Sequence, residues 1–464
     1  MNKMHTRLGA ILLAGATLLS ACGGGAASSS TSAPASVAAS SAASASNSSA
    51  AIPPASGVAS GATSGGTIKI GVLEPLTGPL AEVGKNNEEG FNLYLDTVNH
   101  TIAGHKVQAI YSDTQGKADV GLTKAKQLVE SNGVQILAGI TATPVCYAVA
   151  GYVKQAHVPL AVTGNCGAQN IPTTAKFSSP YFTRFSQNTV IVGDPAAAWA
   201  YSQGHHKASI IVSNFGGGLE VADAFARTFI ANGGSVVQEQ YPAQGTTDYG
   251  PLLSQINPSA DVIVAFLPGT DGLRFMTQYG NYVTTHKPII DLYGAITDGP
   301  NLAQLKDKGV GVTGVFVYST AIDNAQNKQF LQLFHQKYPN QLVTKDAVQG
   351  YSGAEIIAAA LDKVNGNVSK SAVGKFMDAL YATNAQTPKG QVRLDKNHDL
   401  VQNIYVYQVV KQGSGFGQKL LHTYDNVSST WDITPQQLAK FKIGQMKGQW
   451  VGMTKAKLHQ LGIA

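Results

Sequence analysis

The residues of this chain that are best suited to chemistry are polar groups that follow two short apolar runs, residues 134–138 and 158–162. Thr143 follows the first run and precedes Pro144, which is the order expected of a helix N-cap and a first helical residue. A helix start leaves backbone N–H groups without partners, and these groups favour an anion. The pattern therefore predicts that Thr143 holds the carboxylate of a small molecule, with plain helix capping as the alternative.

The second apolar run opens into a polar turn, TGNCG, at residues 163–167. In an open parallel sheet, the turns at the carboxyl ends of neighbouring strands face the same crevice. We therefore expect the backbone of Gly164 and Cys166 to lie beside Thr143 and to bind the same carboxylate. Tyr147, which lies one helical turn beyond Thr143, is a further candidate for contact with the ligand.

The elements that would position these groups alternate between strand and helix. From residue 67 onward, apolar runs such as 68–73 are followed by segments with helical spacing, such as 81–99 with Phe91 and Leu95 on one face. This alternation predicts an α/β fold with parallel sheets built of βαβ units. A folded length of about 400 residues is too long for one typical core and indicates two domains.

The opening motif IGVLEPLTGP at residues 70–79 and the layout of residues 139–170 carry a resemblance to a known family. Over roughly residues 67–410, the chain resembles the leucine-binding-protein-like substrate-binding proteins of branched-chain amino acid ABC transporters, which are type I periplasmic binding proteins. In that family, a Ser or Thr after this strand and the main chain of the next turn hold the α-carboxylate of the ligand. The resemblance implies two Rossmann-like lobes with parallel sheets, joined by a three-segment hinge in a Venus-flytrap arrangement.

The resemblance also implies how the chain is divided. Lobe 1 would comprise residues 67–184 plus 319–388, and lobe 2 would comprise residues 185–318 plus 389–425. Because the resemblance fails beyond residue 425, residues 426–464 are expected to form a C-terminal extension.

On the expected second lobe, the run 208–213 leads into Phe215 and three glycines. The glycines lack the Lys and the spacing of a phosphate-binding loop, so they predict a tight strand-to-helix turn. Many relatives have Tyr-Gly at this point, with the Tyr facing the ligand. The resemblance therefore implies that Phe215 forms an apolar wall of the site, with a core aromatic as the alternative.

Two further turns of this lobe are expected to face the ligand. In the amino-acid-binding relatives they supply an aromatic wall, here Tyr293, and an acidic residue for the ligand's ammonium group. The position matched to that acid is Gly294 or Ala295, and the nearby Asp271 and Asp298 do not clearly replace it. With Gly294 as the candidate contact, two ligand classes stay open: an amino acid, or an aromatic or aliphatic acid without an ammonium group.

The N-terminus has the form of an export signal. Lys3 and Arg7 precede a short apolar run, and Leu-Ser-Ala-Cys at residues 19–22 resembles a lipobox, which implies that residues 1–22 are a lipoprotein signal and that Cys22 is lipidated. A plain signal peptide with an incidental cysteine is the alternative. Residues 23–66 are nearly all Ser, Ala, Gly and Thr without any charge. They predict a disordered tether that spans about 35–40 Å.

If Cys22 is lipidated, Cys146 and Cys166 remain as a pair in an exported, disulfide-permissive setting. The two cysteines belong to turns that are expected to be neighbours. We therefore predict a Cys146–Cys166 disulfide, with two separate buried thiols as the alternative. No metal site is expected, since two cysteines without His at ligand spacing do not complete a tetrahedral set.

Charge and motifs argue against other classes of function. The formal net charge is +6, or +4 without Lys3 and Arg7, and the charges are scattered, so that no nucleic acid partner is expected. No GxSxG, HExxH or paired-carboxylate pattern occurs in the sequence. We therefore expect neither an enzyme nor a bound cofactor.

Together these features predict an exported monomer in the cell envelope, lipid-anchored on the periplasmic side of a membrane or on the outer cell surface. It would touch the membrane only through its lipid, capture a small carboxylate-bearing ligand by lobe closure and deliver it to the permease of an ABC importer. The alternative is a regulatory or sensory envelope lipoprotein that uses the same fold without transport.

Overall fold

The computed structural model describes residues 65–169 and 179–464. The predicted signal, Cys22 and residues 23–64 of the predicted tether lie outside the described residues. The first strand begins at Gly65, so the last two residues assigned to the tether are part of a strand. Within the described ranges, no helix combines the length and the apolar character needed to cross a bilayer.

The first sheet contains six strands: β1 Gly65–Glu74, β2 Thr101–Ile102, β3 His105–Asp113, β4 Ile136–Gly139, β5 Leu160–Val162 and β6 Phe182–Arg184. Their spatial order is β2-β3-β1-β4-β5-β6, and every neighbouring pair is parallel except β2–β3. Parallel neighbours need crossover connections, and helices provide them here.

The second sheet contains nine strands: β7 Lys207–Val212, β8 Ser235–Gln240, β9 Val262–Phe266, β10 Ile289–Leu292, β11 Thr313–Phe316, β12 Asn384–Thr387, β13 Gly390–Leu394, β14 Leu400–Gln412 and β15 Gly415–Val427. The order is β12-β13-β14-β11-β10-β9-β7-β8, and β15 pairs with β14. The five strands from β11 to β8 are parallel, whereas the pairs that involve β12 to β15 are antiparallel.

Helices connect the strands and cover both sheets. In chain order the α-helices are α1 Ala81–Thr97, α2 Ala118–Lys126, α3 Thr143–Ala156, α4 Val190–Ser202, α5 Gly216–Ala231, α6 Gly250–Leu253, α7 Thr270–Tyr282, α8 Gly299–Leu305, α9 Ala325–Lys337, α10 Lys345–Lys363, α11 Val373–Tyr381, α12 Pro435–Lys440 and α13 Lys455–Leu461. The predicted α/β class with two parallel-dominated sheets is confirmed.

Each sheet is buried on both faces, as expected of parallel sheets with helical crossovers. On the first sheet, Ile70 packs on one face with Phe91 of α1 and Ile357 of α10, and Leu137 packs on the other face with Val149 of α3. Helices α1 and α10 touch closely, because a Cβ at Gly90 would lie only 1.7 Å from the backbone oxygen of Ala347. The second sheet is covered in the same way, by α4 and α5 on one face and by α7 on the other.

The chain passes between the two sheets three times. It leaves the first sheet after β6, returns after β11 to α10 and α11, and joins the second sheet again at β12. Buried polar contacts tie the first and third passages together: Arg184 Nε lies 2.9 Å from Asp399 Oδ1, and Lys389 Nζ donates to the backbone oxygen of Phe185 at 3.0 Å. Separating a buried ion pair is costly, so these contacts hold the connection in one place.

Two local expectations were wrong. The order Asp-Pro at residues 194–195 predicts a helix cap, but α4 begins at Val190, and Asp194 is a buried residue inside it that accepts a hydrogen bond from Thr228 at 2.5 Å. The alternation of residues 387–394 predicts a single strand, but a turn divides this segment between β12 and β13, which pair as a hairpin. In both cases long-range contacts, and not the local pattern, decide the structure.

The predicted extension, residues 426–464, packs on the second sheet through one fully buried tryptophan. Trp450 Nε1 donates to Asp223 Oδ1 on α5 at 2.6 Å, and the amides of Gly444 and Met446 donate to Oδ2 of the same carboxylate. Burial raises the pKa of Asp223 from its ordinary value of 3.8 to about 7, although these hydrogen bonds lower it. The extension therefore joins the core of this half of the chain.

We expect Trp450→Phe to reduce the free energy of unfolding by about 1.5–3 kcal/mol at pH 8, since it removes a hydrogen bond to a buried carboxylate. Because the pKa of Asp223 is raised in the folded state, the carboxylate costs stability as the pH rises from about 4 to 7. Trp450 reduces that cost only once the group is charged. The loss should therefore be smaller at pH 5 than at pH 8 in urea unfolding followed by circular dichroism.

Trp431→Phe is the matched control. The indole nitrogen of Trp431 has no hydrogen bond within the described residues, and its ring packs edge-on against Tyr424. Its effect on stability should be the same at the two pH values. An equal loss at pH 5 and pH 8 in Trp450→Phe would contradict the assigned hydrogen bond.

Candidate functional site

A small cavity, with a volume of about 40 Å³, lies between the carboxyl ends of the strands of the two sheets. The cavity is lined by Leu80, Val83, Thr141, Thr143, Asn165, Cys166, Phe215, Gly217, Phe266, Pro268, Tyr293, Ala295, Lys345 and Asp346. Both sheets and helix α10 therefore contribute to one enclosed space.

Thr143 lines this cavity, although its local role differs from the prediction. The N-cap of α3 is Ala142, and Thr143 is the first helical residue, whose hydroxyl makes no capping hydrogen bond. The prediction was wrong by one position because Ala142 already has the extended backbone that an N-cap needs. The hydroxyl is thus left to face the cavity beside the unpaired amides of the helix start.

A second helix start faces Thr143 from the other sheet. Helix α5 begins at Gly216, and a Cβ at Gly217 would lie 3.0 Å from Thr143 Oγ1. The three glycines therefore form the first turn of α5 and allow its backbone to approach α3 closely. Since each helix N-terminus carries a partial positive charge, the two helices together favour an anion at this point.

Two turns beside the cavity hold non-glycine residues in the left-handed region. Ile140 after β4 has φ 69° and Tyr293 after β10 has φ 65°. This conformation is unfavourable for a β-branched or bulky side chain and persists only where the surroundings impose it. Ile140 is fixed by full burial and by donation of its N–H to the backbone oxygen of Leu73.

An aromatic wall is contributed by the second sheet. Phe266 lies between Phe215 and Tyr293, with ring centroids 5.8 Å and 4.7 Å away, and the Tyr293 ring is stacked on it. Burial raises the pKa of the Tyr293 phenol, so it remains neutral. The two predicted wall residues, Phe215 and Tyr293, are thus brought together, and sequence reasoning missed Phe266 because it ends an ordinary apolar strand.

The predicted disulfide is confirmed. Cys146 in the first turn of α3 is bonded to Cys166 in the turn after β5, with the two Cα atoms 5.9 Å apart. The same two turns touch at Gly164, where a Cβ would lie 2.3 Å from the backbone oxygen of Ile140. Cys166 lines the cavity, whereas Gly164 is not among the lining residues and serves this close approach.

Gly294 and Tyr147, the other predicted contacts, are also not among the lining residues. Gly294 has φ 60°, and a Cβ there would lie 2.4 Å from the Tyr407 hydroxyl, so this position serves the packing of a turn. The Tyr147 hydroxyl donates to Glu220 of α5 at 2.5 Å. The same carboxylate accepts from the amide of Ala168 at 2.6 Å, so Tyr147 takes part in a network between the two sheets.

Sequence reasoning missed a charged pair at the start of α10. Lys345 Nζ lies 2.9 Å from Asp346 Oδ2 and 3.3 Å from Asp298 Oδ2. Burial opposes the charge of Lys345, but the two carboxylates raise its pKa, and burial raises the pKa of Asp346 although Lys345 lowers it. The capping pattern Thr344-x-x-Ala347 marks the helix start, yet nothing local indicates that it faces the cavity.

A further buried acid lies behind the cavity. Thr141, a lining residue, donates to Glu74 Oε2 at 2.5 Å, and burial raises the pKa of Glu74 well above its ordinary value. Among the described residues there is no group of three or more His, Cys, Asp or Glu side chains arranged to hold a metal ion. The described residues of the site offer helix ends, aromatic rings, hydrogen-bonding side chains and the Lys345–Asp346 ion pair.

Comparison with known proteins agrees with this architecture. A two-sheet α/β protein with a cavity where the strands of both sheets end belongs to the class of type I periplasmic binding proteins. The family model for periplasmic binding proteins matches residues 67–414, and the chain belongs to this family. Its relatives are substrate-binding proteins of ABC transporters and not enzymes, and the family implies an extracytoplasmic location.

The similarity extends to individual relatives. The chain is 30% identical over 376 residues to the Leu/Ile/Val-binding protein homolog 6 of Brucella melitensis biotype 1, covering 79% of this chain and 94% of that protein. It is 30% identical to a solute-binding protein of R. palustris solved in complex with 4-hydroxybenzoate, with a TM-score of 0.72. A solute-binding protein of Rhodopseudomonas palustris BisB5 in complex with 3,4-dihydroxybenzoic acid is 28% identical, with a TM-score of 0.73. Each structural match covers 78% of this chain and 98% of the other.

Replacing both Cys146 and Cys166 with Ser should reduce the free energy of unfolding by about 2–4 kcal/mol, the usual contribution of a disulfide. The bridge closes a sequence separation of 20 residues, and it fixes the turns that carry the helix start. Urea unfolding with and without a reductant measures the effect. The reductant should destabilise the wild type by a similar amount and leave the double variant unchanged, and a wild type insensitive to reductant would contradict the assigned bridge.

Proposed function

We propose that this chain is a lipid-anchored solute-binding protein that captures a small carboxylate-bearing ligand by lobe closure and delivers it to the permease of an ABC importer. The observation that carries the proposal is the opposition of two helix N-termini, α3 and α5, across a cavity with an aromatic wall. The arrangement supports binding of an acid whose carboxylate lies at the helix ends and whose apolar part contacts the rings.

The expected energetics are compatible with useful affinity. A hydrogen bond to a charged group contributes about 1.5–3 kcal/mol, and micromolar binding needs only about 8 kcal/mol net. The Thr143 hydroxyl, the amides of the two helix starts and the backbone near Cys166 offer several such bonds. Together with burial of apolar ligand surface against Phe215 and Tyr293, they are sufficient after the ordering costs of binding.

The wall chemistry favours an aromatic acid as the ligand. Three rings flank the cavity, and aromatic pairs are favourable beyond the area they bury. The R. palustris relatives that are 28–30% identical were solved with hydroxylated benzoic acids, which supports the same class here. An amino acid or an aliphatic acid is the competing ligand class, because a Leu/Ile/Val-binding homologue is equally similar in sequence.

Closure would move two lobes, residues 67–184 plus 319–388 and residues 185–318 plus 389–425, about the three chain passages. The Glu220 network supports this mechanism, because it joins Tyr147 and Ala168 beside the first sheet to α5 beside the second. A ligand that bridges both halves favours this closed arrangement by population shift. Lipidation at Cys22 and a tether that ends before Gly65 would keep the protein near its permease.

A thermal-shift screen tests the function directly. Aromatic acids, aliphatic acids, amino acids and amides are added at saturating concentration, and a ligand at 100 times its Kd should stabilise the protein by about 2.7 kcal/mol. We expect the best hits among the aromatic acids. The absence of any hit in the four classes would contradict a transport role and favour the regulatory or sensory lipoprotein.

For the best hit, Thr143→Val should weaken binding about 10- to 100-fold, since it removes one hydrogen bond to a carboxylate while keeping the shape of the side chain. Isothermal titration calorimetry measures the affinity, and the melting temperature without ligand should stay near that of the wild type. Thr270→Val is the matched control, because Thr270 is also the first residue of a helix but is exposed. Unchanged affinity in Thr143→Val would contradict this placement of the carboxylate.

Glu220→Gln should accelerate ligand release about tenfold. The amide oxygen of the new side chain can still accept from Tyr147. Its NH₂ group then faces the N–H of Ala168, so that the hydrogen bond from Ala168 to helix α5 is lost. Stopped-flow fluorescence measures the release rate. The control is Glu239→Gln, which removes a carboxylate that accepts from Trp450 and Gly448 within the second half of the chain and should not alter release. Equal release rates in the two variants would argue against a role of Glu220 in closure.

A further inference from the structure

One carboxylate oxygen at the cavity has no hydrogen-bond partner. Asp346 lines the cavity and is only 2% exposed, and its Oδ1 is without a partner among the described residues. Asn165, on the turn after β5, interacts with this carboxylate through its side chain and lowers the pKa of Asp346, but among the described residues no donor meets hydrogen-bond distance and angle at Oδ1. Because a buried acceptor without a donor is costly, such a group needs an explanation.

The orientation of this oxygen is fixed by the ion pair next to it. Lys345 Nζ holds Asp346 Oδ2 at 2.9 Å, and Lys345 is itself held by Asp298 on the other side. The carboxylate therefore cannot rotate to exchange its two oxygens without breaking a buried ion pair. The unpaired Oδ1 is left as a positioned acceptor in a cavity to which the two helix starts contribute donors.

We infer that Asp346 Oδ1 accepts a hydrogen bond from the ligand, so that the preferred ligand is a carboxylic acid that also carries an O–H or N–H donor. This inference rests on the proposed function and narrows its ligand class. A hydroxyl group on an aromatic acid and the ammonium group of an amino acid supply the same donor chemistry. In the amino-acid-binding relatives, the acid that contacts the ligand's ammonium group lies at the position matched by Gly294 or Ala295, on the second sheet. Here Asp346, at the start of a helix that covers the first sheet, would take the place of that acid.

Two matched ligand pairs test this inference on the wild-type protein. Benzoate and 4-hydroxybenzoate differ by one hydroxyl, and 4-methylpentanoate and leucine differ by one ammonium group. Isothermal titration calorimetry should show at least tenfold tighter binding of the donor-bearing member in one pair, and that pair identifies the source of the donor. Binding without any preference in either pair overturns the inference and leaves the proposed function standing. A failure of all four acids to bind contradicts the proposed function and the inference with it.

The variant Asp346→Asn links the preference to this residue. Lys345 should attract the amide oxygen, so that the NH₂ group points into the cavity and offers a donor where the wild type offers an acceptor. The preference for the donor-bearing ligand should then be lost or reversed, while the other ligand of the pair still binds. Circular dichroism checks that this variant folds. If it does not fold, the comparison of ligand affinities on the wild-type protein still tests the inference.

Asp298→Asn is the matched control. It also removes one carboxylate from Lys345, but it leaves the unpaired oxygen of Asp346 in place. We expect lower stability and an unchanged ratio of affinities within the ligand pair. A preference that survives to the same extent in Asp346→Asn and Asp298→Asn overturns the inference.

Discussion

The start of α3 and the start of α5 face each other with the same partial charge, and much of the site follows from this opposition. A side-chain carbon at Gly217 would come within 3.0 Å of the Thr143 hydroxyl, so the two ends are nearly in contact. Each end carries roughly half a positive charge, and bringing them together costs energy unless negative charge lies nearby or a rigid scaffold holds them. A bound carboxylate turns this unfavourable arrangement into a favourable one, which is a physical reason for closure to depend on the ligand.

The scaffold around this junction combines apolar packing with carboxylates placed outside the cavity. Phe266 joins Phe215 to Tyr293 along one wall, and Glu220 gathers donors from both halves of the chain one helical turn from the start of α5. Because Glu220 is already satisfied, it does not compete with a ligand for the helix ends. The cavity thus combines an apolar side, a donor-rich side at the helix starts and a carboxylate at Asp346.

Local patterns in the sequence predicted the parts of the site that depend on one strand–turn–helix unit. The order of apolar run, Thr143 and Pro144 located the helix start, and the placement of Cys146 and Cys166 in neighbouring turns located the bridge. Lys345 and Asp346 were not predictable, since nothing in their own segment indicates that α10 reaches a cavity formed by residues between Leu80 and Ala295. The sequence predicts that Tyr147 contacts the ligand. Its actual partner, Glu220, could not be predicted, because the two residues become neighbours only when the two halves of the chain meet. The division of residues 387–394 into a hairpin likewise depends on pairing with β14 and not on alternation alone.

The bridge between Cys146 and Cys166 has a consequence for when the protein becomes competent. Inside the cytosol, thiol-reducing systems keep cysteines apart, and a newly made chain there lacks the covalent link between the two turns that present Thr143 and Cys166. The link forms only after translocation, in an oxidising compartment. The covalent constraint on the two turns is therefore acquired outside the cytosol, in the extracytoplasmic location that the family implies.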